Sequence, residues 1–186
     1  MKIFLRKLQH SGQPLLRYSL AEIQLNDLLE KQISLSFSGQ IQCVTCGISI
    51  KKSFNQGYCY NCFRTLARCD LCLVKPETCH FRKGTCREPE WGREQCLVPH
   101  VVYLSNTTGL KVGITRKHKL FERWGDQGAV CAVAICEVPE RYYAGLIEVA
   151  LKAQVSDRTD WRKLIKGERC EVDLLKEAER LVELLP

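Results

Sequence analysis

Pairs of cysteines are the residues whose spacing most clearly predicts chemistry in this sequence. Two C-x-x-C pairs, Cys43–Cys46 and Cys59–Cys62, are separated by twelve residues. In a C-x-x-C turn both sulfurs can face one ion, and two such turns supply the tetrahedral thiolate set that zinc prefers. A glycine after the first pair and another before the second suit the tight backbone of these turns. We predict a structural zinc site here, with a redox dithiol or an iron–sulfur cluster as the alternatives.

A second group of cysteines follows the two pairs. It contains five thiols and two imidazoles, namely Cys69, Cys72, Cys79, Cys86, Cys96, His80 and His100. These candidates exceed the four positions of one zinc ion. We predict a second zinc held by Cys69, Cys72, Cys86 and Cys96, with Cys79 as a competitor for one position. The spacing leaves this choice open, and a [4Fe–4S] cluster would use the same ligands.

Composition favours a globular protein in a reducing compartment. The 186 residues are 45% hydrophobic and 26% charged, with no apolar run near the roughly 20 residues that span a bilayer. The stretch Met1–Lys7 meets charge again before an apolar core of useful length develops, so we predict no secretion signal and a cytoplasmic protein. Twelve cysteines in that compartment favour metal ligands over disulfides. Cys131, Cys136 and Cys170 lie in or beside apolar runs and are predicted to be small buried hydrophobic residues.

The order of strands and helices changes along the chain. Alternation predicts a strand over Gln32–Phe37, whereas the cysteine-rich stretch shows little periodicity. Two later segments, His100–Leu104 and Leu110–Ile114, predict a hairpin. We then predict a short helix over Lys117–Trp124 and an apolar strand over Ala129–Val138. Two more helices are predicted, one opened by Pro139 and one over Glu171–Leu185. The helix after Pro139 should carry four side chains toward a core, Tyr142, Leu146, Ile147 and Leu151.

The second half of the chain resembles the GIY-YIG nuclease core. The resemblance covers about residues 100–165 and consists of Val101-Val102-Tyr103, then Leu110-Lys111-Val112-Gly113-Ile114-Thr115, then Arg123, then Glu148. The segment Lys111-Val112-Gly113 is similar to the second motif of one branch of this family, which reads K-[IV]-G. Together with the cysteine block and Arg-Trp-Gly-Asp-Gln-Gly-Ala at 123–129, the second half also resembles an uncharacterised bacterial family that carries this core behind zinc-binding cysteines.

The resemblance implies hydrolysis of a phosphodiester bond with one divalent metal. Tyr103 would assist the attacking water, and Gly113 would let the backbone approach the substrate closely. Arg123, with Arg116 as a second candidate, would stabilise charge on the phosphate. Glu148 would hold Mg²⁺ or Mn²⁺.

Three departures from the family pattern bear on activity. Val101 replaces the glycine of the first motif, and Lys111 replaces the tyrosine that many members have in the second. A lysine there can still contact phosphate or transfer a proton if its pKa is lowered. The asparagine that often follows the metal-binding glutamate is not evident, and Asp157–Arg162 occupies its region.

These observations predict an α+β protein: a β-rich scaffold over 1–42, a cysteine-rich zinc-binding region over 43–98, a small GIY-YIG-like mixed α/β domain over 99–168, and an amphipathic helix over 169–186. The net charge of +7 and the basic stretch Arg116, Lys117, Lys119 and Arg123 favour nucleic acid, DNA above all, as the partner. We predict a metal-dependent nuclease. The alternative is a zinc-dependent nucleic-acid-binding protein that retains the scaffold without catalysis.

Overall fold

The chain divides into two units, Met1–Asp70 and Leu71–Pro186. A computed structural model describes residues 9–11, 17–156, 158–168 and 170–185. Short strands dominate the first unit, while a three-stranded sheet and helices build the second. The predicted α+β class is therefore confirmed. The boundary between the units falls inside the range 43–98, so the first two cysteine pairs and most of the second cysteine group belong to different units.

The first unit begins with a small antiparallel sheet. Its strands are β1 (Gln9–Ser11), β2 (Arg17–Leu20) and β3 (Ile23–Gln24), followed by a 3-10 turn at Leu25–Leu28. The strand predicted over Gln32–Phe37 is wrong, because residues 32–37 form no strand. Its apolar positions, Ile33, Leu35 and Phe37, are all more than half exposed. Alternation favours a strand only where a neighbouring strand accepts the ladder hydrogen bonds and a core covers one face.

A second hairpin and one short helix complete the described part of the first unit. Strands β4 (Ile41–Gln42) and β5 (Ser49–Ile50) pair antiparallel, and α1 spans Tyr60–Thr65. A 3-10 turn at Ala67–Cys69 follows. The two C-x-x-C pairs lie at the tip of this hairpin and at the start of α1.

The second unit starts with the irregular segment that the scattered Gly, Pro and Cys residues predict. It consists of 3-10 turns at Leu71–Leu73, Pro76–Thr78 and Phe81–Lys83, followed by α2 (Pro89–Gln95). Polar contacts hold it to the helix that begins at Arg141. Arg82 forms a 2.7 Å ion pair with Glu140, and the Arg141 guanidinium donates to the Leu73 carbonyl at 2.7 Å.

Three antiparallel strands form the sheet of the second unit. They are β6 (His100–Asn106), β7 (Leu110–Arg116) and β8 (Cys131–Val138), in the order β7-β6-β8. Strands β6 and β7 form the predicted hairpin, with Tyr103 opposite Gly113 and Ser105 opposite Lys111. The hairpin and the third strand are confirmed. Because side chains alternate across a strand, Tyr103, Gly113 and Lys111 share one face of this sheet.

Four helices surround the sheet. They are α3 (Leu120–Asp126), preceded by a 3-10 turn at Lys117–Lys119, then α4 (Arg141–Lys152), α5 (Trp161–Ile165) and α6 (Leu174–Val182). The predicted helices over Lys117–Trp124 and Glu171–Leu185 are confirmed with shifted ends. The Asp173 carboxylate accepts a hydrogen bond from the Lys176 amide, which is why α6 begins after it. None of the helices in the described ranges is long and apolar enough to cross a membrane.

The hydrophobic core lies on the sheet face opposite Tyr103. Its buried members are Val102, Leu104, Val112, Ala144, Leu151, Val155, Leu174 and Leu181. The helix after Pro139 begins at Arg141 and turns Leu151 and Ile147 toward this core, but Leu146 is exposed, contrary to prediction. Leu146 follows Gly145, and Gly145 faces the cysteine-rich segment instead of the sheet.

Cys131, Cys136 and Cys170 were predicted to be buried. This prediction is wrong for Cys131 and Cys170 and only partly correct for Cys136. Cys131 and Cys170 are exposed, whereas Cys136 is half-buried beside the core. Cys131 begins β8, which forms an edge of the sheet, and Cys170 lies in the loop before α6. An apolar neighbourhood in sequence does not fix the depth of a residue at a strand end or in a loop.

Gly145 lets the cysteine-rich segment pack directly against α4. A Cβ atom at this position would lie 2.6 Å from the Pro76 Cβ and 2.7 Å from the Glu77 amide nitrogen. Backbone atoms cannot yield as a flexible side chain can, so any residue larger than glycine must separate the segment from the helix.

Replacing Gly145 with alanine is therefore expected to destabilise the second unit by about 1–3 kcal/mol through overpacking. At an open helical position the same change would stabilise the protein by roughly 1 kcal/mol. Urea unfolding followed by tryptophan fluorescence measures the effect, because Trp91, Trp124 and Trp161 all belong to the second unit. Val149→Ala on the exposed side of α4 is the control and should change stability little. A stabilising effect of Gly145→Ala would contradict the packing described above.

Candidate metal centre and candidate active site

The sulfurs of the first two cysteine pairs converge in the first unit. All four sulfurs of Cys43, Cys46, Cys59 and Cys62 lie within 4.8 Å of one another, and those of Cys46 and Cys59 are 3.8 Å apart. Four sulfurs placed about 2.3 Å from a tetrahedral ion would be separated by roughly 3.8 Å. The predicted group can therefore hold a metal ion such as zinc.

Backbone hydrogen bonds hold the cysteine turns in shape. The Gly47 amide donates to the Cys43 carbonyl at 3.0 Å, and the Cys62 amide donates to the Cys59 sulfur at 3.4 Å. Gly47 has a φ of +71°, a left-handed conformation that favours glycine. A Cβ at Gly57 would lie 2.6 Å from a Val44 methyl, so the chain between the pairs also needs glycine there.

The thiols of Cys43 and Cys62 have pKa values shifted in opposite directions. Burial raises the pKa of the Cys43 thiol, but amide hydrogen bonds from Cys46, Cys59 and Thr45 outweigh it and lower the pKa to about 6. A hydrogen bond with Cys59, followed by burial, raises the pKa of Cys62 to about 12. The site thus stabilises a thiolate at Cys43, and a thiolate is the form that binds metal.

The second cysteine group is arranged differently from the predicted set. Cys69 belongs to the first unit, and Cys72, Cys86 and Cys96 do not form a group within 4.8 Å in the part of the chain that is described. The Cys72 sulfur instead lies within 4.8 Å of a ring nitrogen of His80. The assignment of a second metal to Cys69, Cys72, Cys86 and Cys96 stays a prediction.

Cys96 is the buried member of this second group. Burial raises the pKa of its thiol, the positive charge of Arg141 opposes that effect, and Cys79 and Cys86 add to it. Cys79, the predicted competitor, and Cys86 are therefore each close enough to Cys96 to interact electrostatically. His100 is fully buried, and burial lowers its pKa to about 4, so its imidazole is neutral at physiological pH.

Tyr103 and Gly113 face each other across the β6–β7 hairpin in the second unit. The Tyr103 side chain is completely buried, and a Cβ at Gly113 would lie 2.7 Å from the phenol oxygen. The ring of Trp124 from α3 packs edge-on against the Tyr103 ring, with 6.0 Å between centroids. The missing side chain of Gly113 thus makes the space in which the Tyr103 hydroxyl lies.

Gln127 connects Tyr103 with Arg123. Its side-chain nitrogen donates to the Tyr103 hydroxyl at 2.9 Å, while its oxygen accepts from the Nε and Nη2 atoms of Arg123, each at 3.0 Å. Burial raises the pKa of the Tyr103 phenol, the positive charge of Arg123 opposes this, and the negative charge of Glu148 adds to it. Arg123 and Glu148, predicted from separate elements, therefore both act on Tyr103.

Glu148 lies on α4 with only 12% of its side chain exposed. Its carboxylate forms an ion pair with Lys152, one helical turn away, at 3.6 Å. A carboxylate is a hard oxygen ligand of the kind that Mg²⁺ and Mn²⁺ prefer.

Lys111 is buried between the sheet and the chain after α4. It is 8% exposed, and its ammonium donates to the Thr159 hydroxyl at 3.3 Å, which in turn contacts the Thr107 hydroxyl at 3.2 Å. The region that was expected to supply a polar group in place of asparagine thus provides Thr159. Asp157, at the start of that region, is outside the described residues.

The basic stretch around the candidate site is largely engaged by polar partners. Arg116 hydrogen-bonds the side chain of Gln95, Lys117 pairs with Glu137 at 2.8 Å, and Lys119 pairs with Glu122. Of the two arginines predicted to contact phosphate, Arg123 joins the Tyr103 network, whereas Arg116 lies at the end of β7 beside α2.

A family model described as "Protein of unknown function (DUF2797)" matches residues 30–186. The chain belongs to this family. The match takes in both cysteine pairs of the metal centre and the whole Tyr103 network of this DUF2797 protein. No curated protein and no solved structure matches the chain.

Gln127 is the site residue of this DUF2797 chain that sequence reasoning missed. It lies within the quoted Arg-Trp-Gly-Asp-Gln-Gly-Ala segment, four residues after Arg123, and caps the end of α3. Residues four apart on a helix face the same side. This spacing placed Gln127 beside Arg123, but only the tertiary structure brings Tyr103 to both.

Proposed function

We propose that this protein is a GIY-YIG-type nuclease that hydrolyses phosphodiester bonds in nucleic acid, with DNA as the expected substrate. One observation carries the proposal. A buried tyrosine hydroxyl, which lies in the space left by Gly113 on the paired strand, is joined through Gln127 to the exposed arginine Arg123. The resemblance in the motifs supports the same proposal, and the hydrogen bonds of Gln127 add a contact for which the motifs assigned no role.

Tyr103 is assigned to the attacking water. Because burial raises the pKa of its phenol, Tyr103 keeps its proton at neutral pH and orients the water through hydrogen bonds. Gln127 fixes the hydroxyl so that it needs no reorganisation during the reaction.

Arg123 is assigned to the phosphate. The Nε and Nη2 atoms of its guanidinium donate hydrogen bonds to Gln127, which orients the group. The remaining donor atoms of an arginine can still bind phosphate oxygens and stabilise the charge that builds up in the transition state. Gly113 leaves room for the Tyr103 hydroxyl on this face of the sheet.

The residues present fit a divalent cation at Glu148. The carboxylate is a hard oxygen ligand, is nearly buried, and is close enough to Tyr103 for its charge to raise the tyrosine pKa. Mg²⁺ or Mn²⁺ bound there would supply charge stabilisation and would lower the pKa of a bound water. Glu148 would hold the cation, while Tyr103 and Arg123 orient the water and the phosphate.

Zinc is the proposed occupant of the four-cysteine site in the first unit. The 3.8 Å separation of the Cys46 and Cys59 sulfurs matches the edge of a tetrahedral zinc–thiolate site. An iron–sulfur cluster binds its cysteines to separate irons and would hold them farther apart. With four cysteines and no open position, the zinc would be structural, and a second zinc in the other cysteine group is proposed on spacing alone.

A non-catalytic nucleic-acid-binding protein is the second candidate. Lys111 stands where many family members have a tyrosine, and its ammonium is buried against Thr159. A lysine there lacks the hydroxyl that the tyrosine of the family motif supplies. A chain that has lost this part of the site could retain binding without cleavage.

The test is cleavage of labelled single-stranded, duplex and branched DNA and RNA in the presence of Mg²⁺ or Mn²⁺. The wild-type chain should cleave one of these substrates, and Tyr103→Phe should reduce the rate about 10²- to 10⁴-fold because the water loses its oriented partner. Tyr142→Phe on α4 is the control and should cleave normally. Tight binding without cleavage by the wild type would favour the second candidate, and neither binding nor cleavage would overturn both.

A further inference from the structure

A continuous strip of aromatic and basic side chains lies beside the four-cysteine site. The rings of Phe54 and Tyr60 are 5.5 Å apart. The Lys52 ammonium lies 5.8 Å from the centre of the Phe54 ring, and the Arg64 guanidinium lies 5.9 Å from the centre of the Tyr60 ring. Lys52, Phe54, Tyr60 and Arg64 are called the Tyr60 strip below.

The strip is held in place by the same elements that form the metal centre. Tyr60 lies between two of the four cysteines at the start of α1, and Phe54 packs on Phe63 from that helix at 5.6 Å. The backbones of Phe54 and Tyr58 exchange hydrogen bonds of 2.8 and 2.9 Å across a tight turn. Tyr60 nevertheless remains 53% exposed, so a large part of its ring faces solvent.

The surrounding charge is of one sign. Residues 31–69 contain five Lys or Arg residues and no Asp or Glu. Lys51, Lys52, Arg64 and Arg68 are all exposed. A zinc ion bound by four thiolates would carry a net charge of about −2, which leaves this stretch positive. Exposed cations of this stretch attract a polyanion.

We propose that the Tyr60 strip binds single-stranded nucleic acid, with a base stacked on Tyr60 and the adjoining phosphates on Lys52 and Arg64. Exposed aromatic rings interleaved with cations bind single strands because every base offers a flat face and every linkage a negative charge. A duplex hides the faces of its bases, so it can use only the cations of the strip. The site lies in the first unit and is separate from the Tyr103 network.

The experiment measures nucleic-acid binding by the zinc-loaded chain that carries Glu148→Gln. This background is used so that cleavage does not enter the readout. The nuclease assignment is tested separately, by the cleavage assay. Fluorescence anisotropy follows labelled single strands of about 12 nucleotides and a duplex of the same length. Tyr60→Ala should weaken single-strand binding about 10-fold. Arg64→Gln should reduce the slope of log affinity against log salt by about 0.7, the share of one phosphate contact on a single strand.

Two controls separate stacking from folding. Tyr60→Phe keeps the ring and should bind like the parent chain, and zinc content should stay the same in every variant. Tyr143→Ala is the matched control in the second unit, since Tyr143 is 37% exposed and also has an arginine over its ring, but that arginine is paired with Glu140. Its binding should equal that of the parent.

Three results would overturn the proposal. The first is equal affinity of Tyr60→Ala and the parent for single strands. The second is duplex binding as tight as single-strand binding and equally sensitive to Tyr60→Ala. The third is tighter binding to anionic phospholipid vesicles than to the single strand, with vesicle binding lost in Tyr60→Ala and Arg64→Gln. That result would assign the strip to a membrane surface.

Discussion

Loss of the metal ion from the four-cysteine site is expected to unfold residues 41–66 while the second unit remains folded. Among the described residues of the first unit, the buried apolar side chains are Cys43, Cys59, Ala67 and Cys69. Two of these four are ligands of the proposed ion, so the unit has almost no hydrophobic core without it. Structural zinc contributes on the order of 10 kcal/mol in small domains of this kind, far more than such a core could replace.

Cys46→Ser is the sharpest way to remove this metal. The substitution changes one exposed ligand of this site only. A chelator would be less selective, because it could also remove a metal from the second cysteine group. The variant should lose one equivalent of zinc by elemental analysis, and the amides of residues 41–66 should lose their protection from hydrogen exchange. Tryptophan fluorescence should remain native because all three tryptophans are in the second unit.

Cys131→Ser is the matched control, since Cys131 is equally exposed but lies in the second unit. It should keep full zinc content and full protection. Retention of zinc and of exchange protection in Cys46→Ser would contradict the assignment of the first site. A brown protein containing iron would contradict the choice of metal while leaving the four ligands in place.

Glu148→Gln is expected to abolish cleavage, with a loss of about 10³-fold or more, if the proposed nuclease function is correct. The amide keeps the size of the side chain but removes the negative charge that would hold the divalent cation. Loss of that cation removes charge stabilisation at the phosphate, which is commonly the largest contribution to such a reaction. Single-turnover cleavage at saturating enzyme separates this loss from any change in binding.

Lys152→Gln is the control for the ion pair between Lys152 and Glu148. This substitution removes the lysine of the 3.6 Å pair and leaves the Glu148 carboxylate intact. Cleavage should persist in this variant, because the carboxylate that would bind the cation is unchanged. Cleavage by Glu148→Gln at the wild-type rate would remove Glu148 from the site. Equal losses in both variants would indicate that the pair has a structural role.

Local spacing was enough to predict the features that depend on nearby residues. The pairs Cys43–Cys46 and Cys59–Cys62 converge as expected, since a C-x-x-C turn fixes the direction of both sulfurs. The β6–β7 hairpin was also predictable, because a polar turn between two β-rich segments sets their register. Once that register is set, Tyr103 must face Gly113.

Other features depend on distant contacts and could not be read from the sequence. The alternation at Gln32–Phe37 forms no strand, because alternation cannot supply a partner strand. Five cysteines within a short stretch left the ligands of the second metal site open. In the structure Cys72 lies by His80, and Cys96 interacts with both Cys79 and Cys86, so the predicted set stays a prediction. Without regular secondary structure, sequence distance does not determine which thiols meet.

The candidate active site shows the division most clearly. Sequence alone determined the residue types, their order and the i, i+4 relation of Arg123 and Gln127. Tertiary structure alone decided that the Gln127 amide bridges Arg123 and Tyr103, that Glu148 on α4 acts on the same tyrosine, and that Arg116 turns to Gln95. Helix and strand geometry follows from neighbours along the chain, whereas the approach of α3 and α4 to the sheet is set by the packing of the whole core.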